Sequence, residues 1–95
     1  MQSNLLKKYK ETINKIASNH GVLSVRVFGS FARGEENVHS DIDLLVELEP
    51  KRSLLDIISL KYEIEDLTGR KVDVVTTKGI SPYLAEQIIK EAVPL

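Results

Sequence analysis

The sequence contains no cysteine and no tryptophan, and it has only two phenylalanines and three tyrosines. Without cysteine the chain can form no disulfide bond, no thiolate metal site and no cysteine nucleophile. Charge of one sign is not in excess either, because the chain has 13 Lys and Arg and 14 Asp and Glu, for a net charge of −1. This balance and the shortage of aromatic residues argue against direct binding of nucleic acid, which needs a basic or aromatic surface.

Long hydrophobic runs are absent as well. No segment approaches the roughly 18–20 apolar residues of a membrane span, and the N-terminus lacks the hydrophobic region of a signal peptide. Apolar residues make up 42% of the chain and charged residues 28%, as in ordinary globular domains. With 95 residues the chain is long enough for one domain and too short for two. We therefore expect a single cytoplasmic domain over residues 1–95.

Hydrophobic periodicity predicts strands that alternate with helices. Ser3 or Asn4 can cap the first helix, Ser53 and Asp56 form a capping box for a later one, and Pro82 suits the first turn of the last. The predicted elements, in chain order, are a helix over residues 3–19, a strand Val22–Phe28, a helical turn Ser30–Arg33, a strand Ile42–Leu48, a helix between Ser53 and Gly69, a strand Lys71–Thr76 and a helix from Pro82 to Ala92.

This order predicts an α/β fold in which a small mixed sheet is covered by helices on one face and left partly open on the other. In the first helix the predicted core stripe is Leu5, Leu6, Tyr9, Ile13, Ile16 and Ala17. In the helix after Ser53 the predicted buried face is Leu54, Ile57, Ile58, Lys61, Ile64 and Leu67.

Acidic residues lie on the open face of the predicted sheet. Asp41 and Asp43 are two residues apart at the start of a strand, so they project from the same face, away from the core. An isolated Asp-x-Asp pair is more often a solvated strand face than a metal site. Asp73 changes that balance, because alternation on its own strand directs it to the same open face. Three carboxylates can hold divalent cations, and oxygen ligands favour Mg²⁺ or Mn²⁺ over Zn²⁺.

A candidate anion site lies directly after the first strand. Gly29 allows the backbone to turn sharply there, and a helical turn that begins at Ser30 would direct free N–H groups at a phosphate. The segment from Gly29 to Gly34 is not a P-loop, because Glu35 and Glu36 stand where that motif requires Lys and Ser or Thr. By itself a Gly-Ser turn after a strand is usually only a turn.

Together these residues spell Gly29-Ser30, ten further residues and then Asp41-x-Asp43, with Asp73 on a later strand. This pattern resembles the DNA polymerase beta-like nucleotidyltransferase superfamily, and at this length its minimal nucleotidyltransferase family. The resemblance implies that Gly29 and Ser30 hold the triphosphate of ATP. It implies that Asp41 and Asp43 coordinate two Mg²⁺ ions, and that Asp73 completes the second metal site and helps to deprotonate the acceptor hydroxyl.

Other polar residues are weaker candidates for the nucleotide site. Arg33 could contact a phosphate or a partner protein, although an arginine in a polar loop is more often merely solvated. Lys78 and Tyr83 follow the third strand and could reach the nucleotide, although residues in such positions are more often simply solvated.

The 95 residues include no obvious domain that could hold the acceptor. The resemblance implies that a second protein takes this part. Many minimal nucleotidyltransferases are antitoxins paired with a helical HEPN toxin, and members of the family transfer AMP to a tyrosine of that toxin. Two alternatives stay open: a non-catalytic antitoxin that occludes the toxin, and nucleotidylation of a small molecule such as an aminoglycoside.

Overall fold

The structure, a computed structural model, describes residues 4–95. The predicted helices and strands are confirmed with boundaries that shift by one residue at most, and one short strand is added at the end. The predicted cap Ser3 lies outside the described residues, and Asn4 is the first residue of the first helix. The elements are α1 Asn4–Asn19, β1 Val22–Phe28, α2 Ser30–Arg33, β2 Ile42–Leu48, α3 Leu54–Thr68, β3 Val72–Thr76, α4 Pro82–Glu91 and β4 Val93–Pro94.

The four strands form one mixed sheet in the order β3-β2-β1-β4. β1 runs antiparallel to both β2 and β4, whereas β2 and β3 are parallel. A parallel pair requires a crossover connection, which α3 provides. The predicted α/β fold is therefore confirmed, and the register places Asp43 opposite Phe28 on one side and Asp73 on the other.

The core lies between one face of this sheet and the helices α1 and α3. Val25, Val27 and Leu44 project from the sheet into it. The predicted stripe of α1 is confirmed, because Leu6 and Ile13 are fully buried and its other members pack at least partly against the core. Since side chains alternate along a strand, Asp43 and Asp73 lie on the opposite face from the core.

The predicted buried face of α3 is wrong in part. Leu54 and Ile58 are 72% and 41% exposed, whereas Leu60, which the prediction omitted, is fully buried. The residues that face the sheet are Ile57, Leu60 and Ile64, at steps of three and four. Apolar residues surround most of the circumference of α3, so the sequence pattern alone did not select one face.

Local signals fix both ends of α3. The capping box is present: the Ser53 hydroxyl accepts a hydrogen bond from the Leu55 N–H at 3.2 Å, and Asp56 accepts one from the Ser53 N–H at 3.3 Å. At the other end Gly69 adopts the left-handed conformation with φ 69° and its N–H donates to the Glu65 carbonyl. The helix therefore begins and ends where the sequence predicts.

The last helix and strand lie at the margin of the core. Pro82 lies in the first turn of α4, as predicted, and the side chain of Ser81, the residue before it, makes no capping hydrogen bond. β4 pairs Val93 with Val27 and Pro94 with Arg26, and it was not predicted because two residues with a proline give no strand signal. Within residues 4–95 we find no helix with the length and apolar character of a membrane span.

Candidate active site

Gly29 makes the turn between β1 and α2. Its φ is 74° and its ψ is −153°, a combination that is open essentially only to glycine. Its carbonyl accepts the N–H groups of Ala32 and Arg33, both at 3.1 Å, which closes the helical turn predicted at Ser30–Arg33. A Cβ at this position would lie 2.2 Å from Oδ2 of Asp43. The backbone of the turn therefore packs directly against the Asp43 carboxylate.

Three carboxylates approach one another at the ends of two parallel strands. Asp43 and Asp73 are register partners on β2 and β3, and neighbouring strands lie about 4.8 Å apart. Asp41 stands just before β2, on the same face as Asp43. Asp43 is half-buried, whereas Asp41 and Asp73 are exposed. The fold thus brings the residues of the predicted site to one edge of the open face, beside the Gly29 turn.

The charges of these residues act on one another. The pKa of Asp43 is raised from 3.8 to about 6, first by burial of the carboxyl and then by the negative charges of Asp73 and Asp41. Glu91 adds to the rise, and Arg33 opposes it. The ionised form of Asp43 is therefore unfavourable in the folded chain, and a bound cation would make it favourable.

The donor set fits a magnesium ion only with the help of a substrate. Within residues 4–95 no three His, Cys, Asp or Glu side chains already form a group that could hold a metal by themselves. Mg²⁺ usually binds one or two carboxylates together with water and substrate phosphates, so a complete protein cage is not required. The oxygen ligands of Asp41, Asp43 and Asp73 match that preference, and their metal-binding and catalytic roles stay predictions.

Arg33 lies beside the carboxylates and is held by two others. Its Nε donates to Glu35 at 2.6 Å, and its Nη1 forms an ion pair with Glu91 of α4. The hydrogen bond to Glu35, followed by that to Glu91, raises the pKa of Arg33, so it keeps its positive charge. Glu91 was missed by the sequence analysis, because it is far from the motif in sequence and only the fold brings it near.

A second missed residue, Arg70, braces the loop that leads to Asp41. Its Nη1 donates to the carbonyls of Asn37 at 2.7 Å and Ser40 at 3.1 Å. Its guanidinium also stacks over the ring of Phe31 at 5.6 Å from the centroid. Arg70 therefore ties the start of β3 to the loop between α2 and β2. No short motif marks this role.

The two weaker candidates, Lys78 and Tyr83, lie outside the group of carboxylates. Lys78 lines a cavity of about 170 Å³ with Leu48 and Thr76, which lie at the opposite ends of β2 and β3 from the carboxylates. The fold thus places Lys78 at the opposite end of β3 from Asp73, and its contact with the nucleotide stays a prediction. Tyr83, in the first turn of α4, is 94% exposed.

Comparisons with known proteins agree with this geometry. A match to the family described as nucleotidyltransferase domain covers residues 6–95. A Methanocaldococcus jannaschii protein assigned to the protein adenylyltransferases is 46% identical over 88 residues, covering 93% of this chain and 95% of the relative. The protein adenylyltransferase MntA of Thermococcus cleftensis is 37% identical over 79 residues, covering 83% of this chain and 80% of that protein.

Solved structures give the same result. A structure assigned to the minimal nucleotidyltransferases superposes with a TM-score of 0.89 at 45% identity, covering 100% of this chain and 97% of its own. A Shewanella oneidensis complex of a tri-AMPylated HEPN toxin with its MNT antitoxin shares the fold, with a TM-score of 0.72 at 18% identity over 93% of this chain and 69% of the matched one. This chain therefore belongs to the nucleotidyltransferase domain family, and within it to the enzymes known as minimal nucleotidyltransferases.

Proposed function

We propose that this enzyme transfers AMP from ATP to a hydroxyl group of a partner protein in a reaction that depends on Mg²⁺. The observation that carries the proposal is the direct packing of the Gly29 turn against Asp43, where no side chain fits between them. A phosphate bound at that turn would lie next to a metal held by Asp43. The names of the protein adenylyltransferases that share most of this chain's length support AMP as the group and protein as the acceptor.

Each residue of the site has a role in the proposed reaction. Gly29 and Ser30 bind the triphosphate, and Asp41 and Asp43 hold the metal, which when bound would neutralise charge on the phosphate oxygens. Asp73 accepts the proton of the acceptor hydroxyl, whose oxygen forms a bond to the α-phosphorus. The bond from that phosphorus to the bridging oxygen breaks, and pyrophosphate leaves with the electron pair. Catalysis is then mainly positioning and charge stabilisation.

We infer further that the acceptor is a tyrosine of a HEPN toxin and that the enzyme acts as its antitoxin. The Shewanella oneidensis complex supports this partner, since its antitoxin has the same fold and its toxin carries AMP. The relative MntA of Thermococcus cleftensis, at 37% identity, bears the name of a protein adenylyltransferase. The proposed partner is thus a helical protein that binds at the open face.

Intact-mass spectrometry tests the proposal. The enzyme is mixed with ATP, Mg²⁺ and a HEPN toxin, and the matched control is the Asp41→Asn/Asp43→Asn variant. We expect an AMP-sized mass increase on the partner with the wild type and none with the control. A stable complex without any mass increase would contradict adenylyl transfer and favour occlusion. An AMP-sized mass increase on an added aminoglycoside, with none on protein, would show that the acceptor is a small molecule.

A further inference from the structure

A cavity of about 230 Å³ adjoins the carboxylates at the β3 edge of the sheet. Its lining residues are Asp41, Lys61, Lys71, Val72 and Asp73. The two aspartates belong to the candidate active site, whereas the two lysines have no role in the reaction described so far. The volume is below the roughly 300–1,000 Å³ of pockets that hold whole small ligands, so it suits one side chain or one phosphate group.

The position of this cavity makes it an entrance for the acceptor. In the strand order β3-β2-β1-β4 the Gly29 turn follows β1, whereas the cavity adjoins β3, with Asp43 of β2 between them. Phosphates bound at the Gly29 turn would therefore lie on the opposite side of Asp43 from the cavity. In phosphoryl transfer the attacking and leaving oxygens lie roughly in line, so an acceptor enters opposite the leaving pyrophosphate. The β3 side meets that requirement.

The two lysines are available for a ligand. Lys61 is half-buried on α3 and Lys71 is exposed just before β3. Neither forms an ion pair with any residue of the described part of the chain, whereas Arg33 and Arg52 are each bound to carboxylates. The two lysines balance the charges of Asp41 and Asp73 in the cavity lining. If those aspartates hold a cation, as the proposed function requires, the positive charges of Lys61 and Lys71 are left to attract an anion.

We propose that this cavity receives the acceptor hydroxyl, and that Lys61 and Lys71 favour an acceptor with an anionic group beside that hydroxyl. The inference rests on the proposed function and specifies its acceptor. The anion has two possible sources with the same chemistry: an acidic side chain next to the acceptor residue, or the phosphodiester of an AMP that is already attached. Either would bring a negatively charged oxygen into the cavity that Lys61 and Lys71 line.

Transfer to three synthetic tyrosine peptides tests this inference. In the first, glutamates flank the tyrosine, and in the second, glutamines replace them. In the third, glutamines flank a tyrosine that already carries AMP, so the acceptor there is a ribose hydroxyl of the attached AMP. The enzymes are the wild type, the Lys61→Gln/Lys71→Gln variant, the Lys61→Arg/Lys71→Arg variant and, as a matched control, Lys15→Gln on the exposed side of α1. The measurements are kcat and KM for each peptide by mass spectrometry, and the ATP affinity by calorimetry.

We expect the wild type to use at least one anionic peptide with about tenfold higher kcat/KM than the neutral one, mainly through KM. The glutamine variant should lose this preference and keep its ATP affinity, while the arginine variant and Lys15→Gln retain it. High salt should also weaken the preference, because it screens exposed charges. Preference for the glutamate peptide identifies an acidic side chain as the anion, and preference for the adenylylated peptide identifies the phosphodiester.

Two other outcomes overturn the inference and can be told apart. If the wild type modifies all three peptides equally and the glutamine variant does the same, the acceptor pocket is wrong while adenylyl transfer stands. If the wild type modifies no tyrosine peptide and no partner protein, the proposed function fails and this inference fails with it. A loss of ATP affinity in the glutamine variant would instead assign the lysines to the nucleotide.

Discussion

At the scale of single residues, Gly29 and Asp43 form one packing unit. The backbone of Gly29 occupies a conformation closed to other residues, and its missing side chain leaves the space that Oδ2 of Asp43 fills. An ordinary turn glycine has a positive φ but no such contact. Gly34, five residues later, has φ 72°, but a Cβ added there would meet no atom within 4 Å. Substitutions at these two glycines therefore distinguish the effect of backbone strain from the effect of the contact with Asp43.

We expect Gly29→Ala to destabilise the fold by about 1–3 kcal/mol through backbone strain and to displace Asp43. A displacement of about 1 Å at reacting groups costs roughly 100-fold in rate, so adenylyl transfer should fall by at least that factor. Gly34→Ala should cost similar stability and retain most of the activity. Urea denaturation and initial rates measure both effects. Equal loss of activity in the two variants would show that strain, not the contact with Asp43, is decisive.

The raised pKa of Asp43 predicts a pH-dependent stability. Its pKa is about 6 in the folded chain and 3.8 in the reference state, so the folded protein holds this proton more tightly. The contribution of the protonated group is complete below pH 4 and is lost as the pH rises through 6. We therefore expect Asp43→Asn, measured without divalent metal, to raise the melting temperature at pH 7.5 and to change it little at pH 4.

Thermal unfolding in EDTA across this pH range measures the effect. The control is Glu47→Gln, which removes an exposed carboxylate from the same strand, farther from the site. Added Mg²⁺ and ATP should stabilise the wild type and leave Asp43→Asn almost unchanged, because binding to the folded state alone adds stability. A variant no more stable than the wild type at pH 7.5 would mean that Asp43 carries its charge at no cost.

At the scale of elements, burial of residues in α3 depends on which face of the helix packs against the sheet. Leu60 is fully buried and Leu54 is 72% exposed, although both are leucines of the same helix. We expect Leu60→Ala to cost about 2–5 kcal/mol of unfolding free energy, because it leaves a cavity in the core. Leu54→Ala should stay within about 0.5 kcal/mol of the wild type. Chemical denaturation compares the two, and a large loss for Leu54→Ala would contradict the packing described.

Arg70 links separate elements around the site, and its removal should loosen the loop before β2. Arg70→Gln gives up the hydrogen bonds to the carbonyls of Asn37 and Ser40 and the stacking on Phe31. We expect a loss of about 1–2 kcal/mol of stability and roughly tenfold slower transfer, since this loop carries Asp41. Hydrogen exchange of the amides in residues 37–41 should become faster.

The control for this prediction is Arg52→Gln, which removes an arginine that pairs with Glu49 and Asp56 at the other end of the sheet. It should leave hydrogen exchange in residues 37–41 and the transfer rate unchanged. If both variants lower the rate equally, the effect of Arg70 comes from general stability and not from bracing the loop.

At the scale of the whole molecule, the sequence was most informative where the determinants are local. Alternation in β2 predicted the face of Asp43, and the capping box and Gly69 predicted both ends of α3. The Gly29 turn followed from its place directly after a strand. These features depend on neighbours within a few residues, so one sequence contains them.

The features that the sequence did not reveal all depend on contacts between distant segments. Glu91 reaches Arg33 only because α4 returns toward α2, and β4 pairs with β1 from the other end of the chain. The buried face of α3 was misassigned at Leu54 and Ile58, because an apolar helix shows no preferred side until the sheet covers one. Tertiary structure decides each of these points, and periodicity cannot.

The pairing of β1 with β4 has a consequence for synthesis of the chain. β1 is an interior strand only because Val93 and Pro94 pair with its outer edge. While the ribosome is still adding the residues between them, that edge presents unpaired backbone groups, in a strand that contains three valines. Exposed edges of this kind invite pairing with other chains. The nascent chain is therefore more prone to aggregation before β4 is made, when the proposed catalytic residues Asp41, Asp43 and Asp73 are already in place.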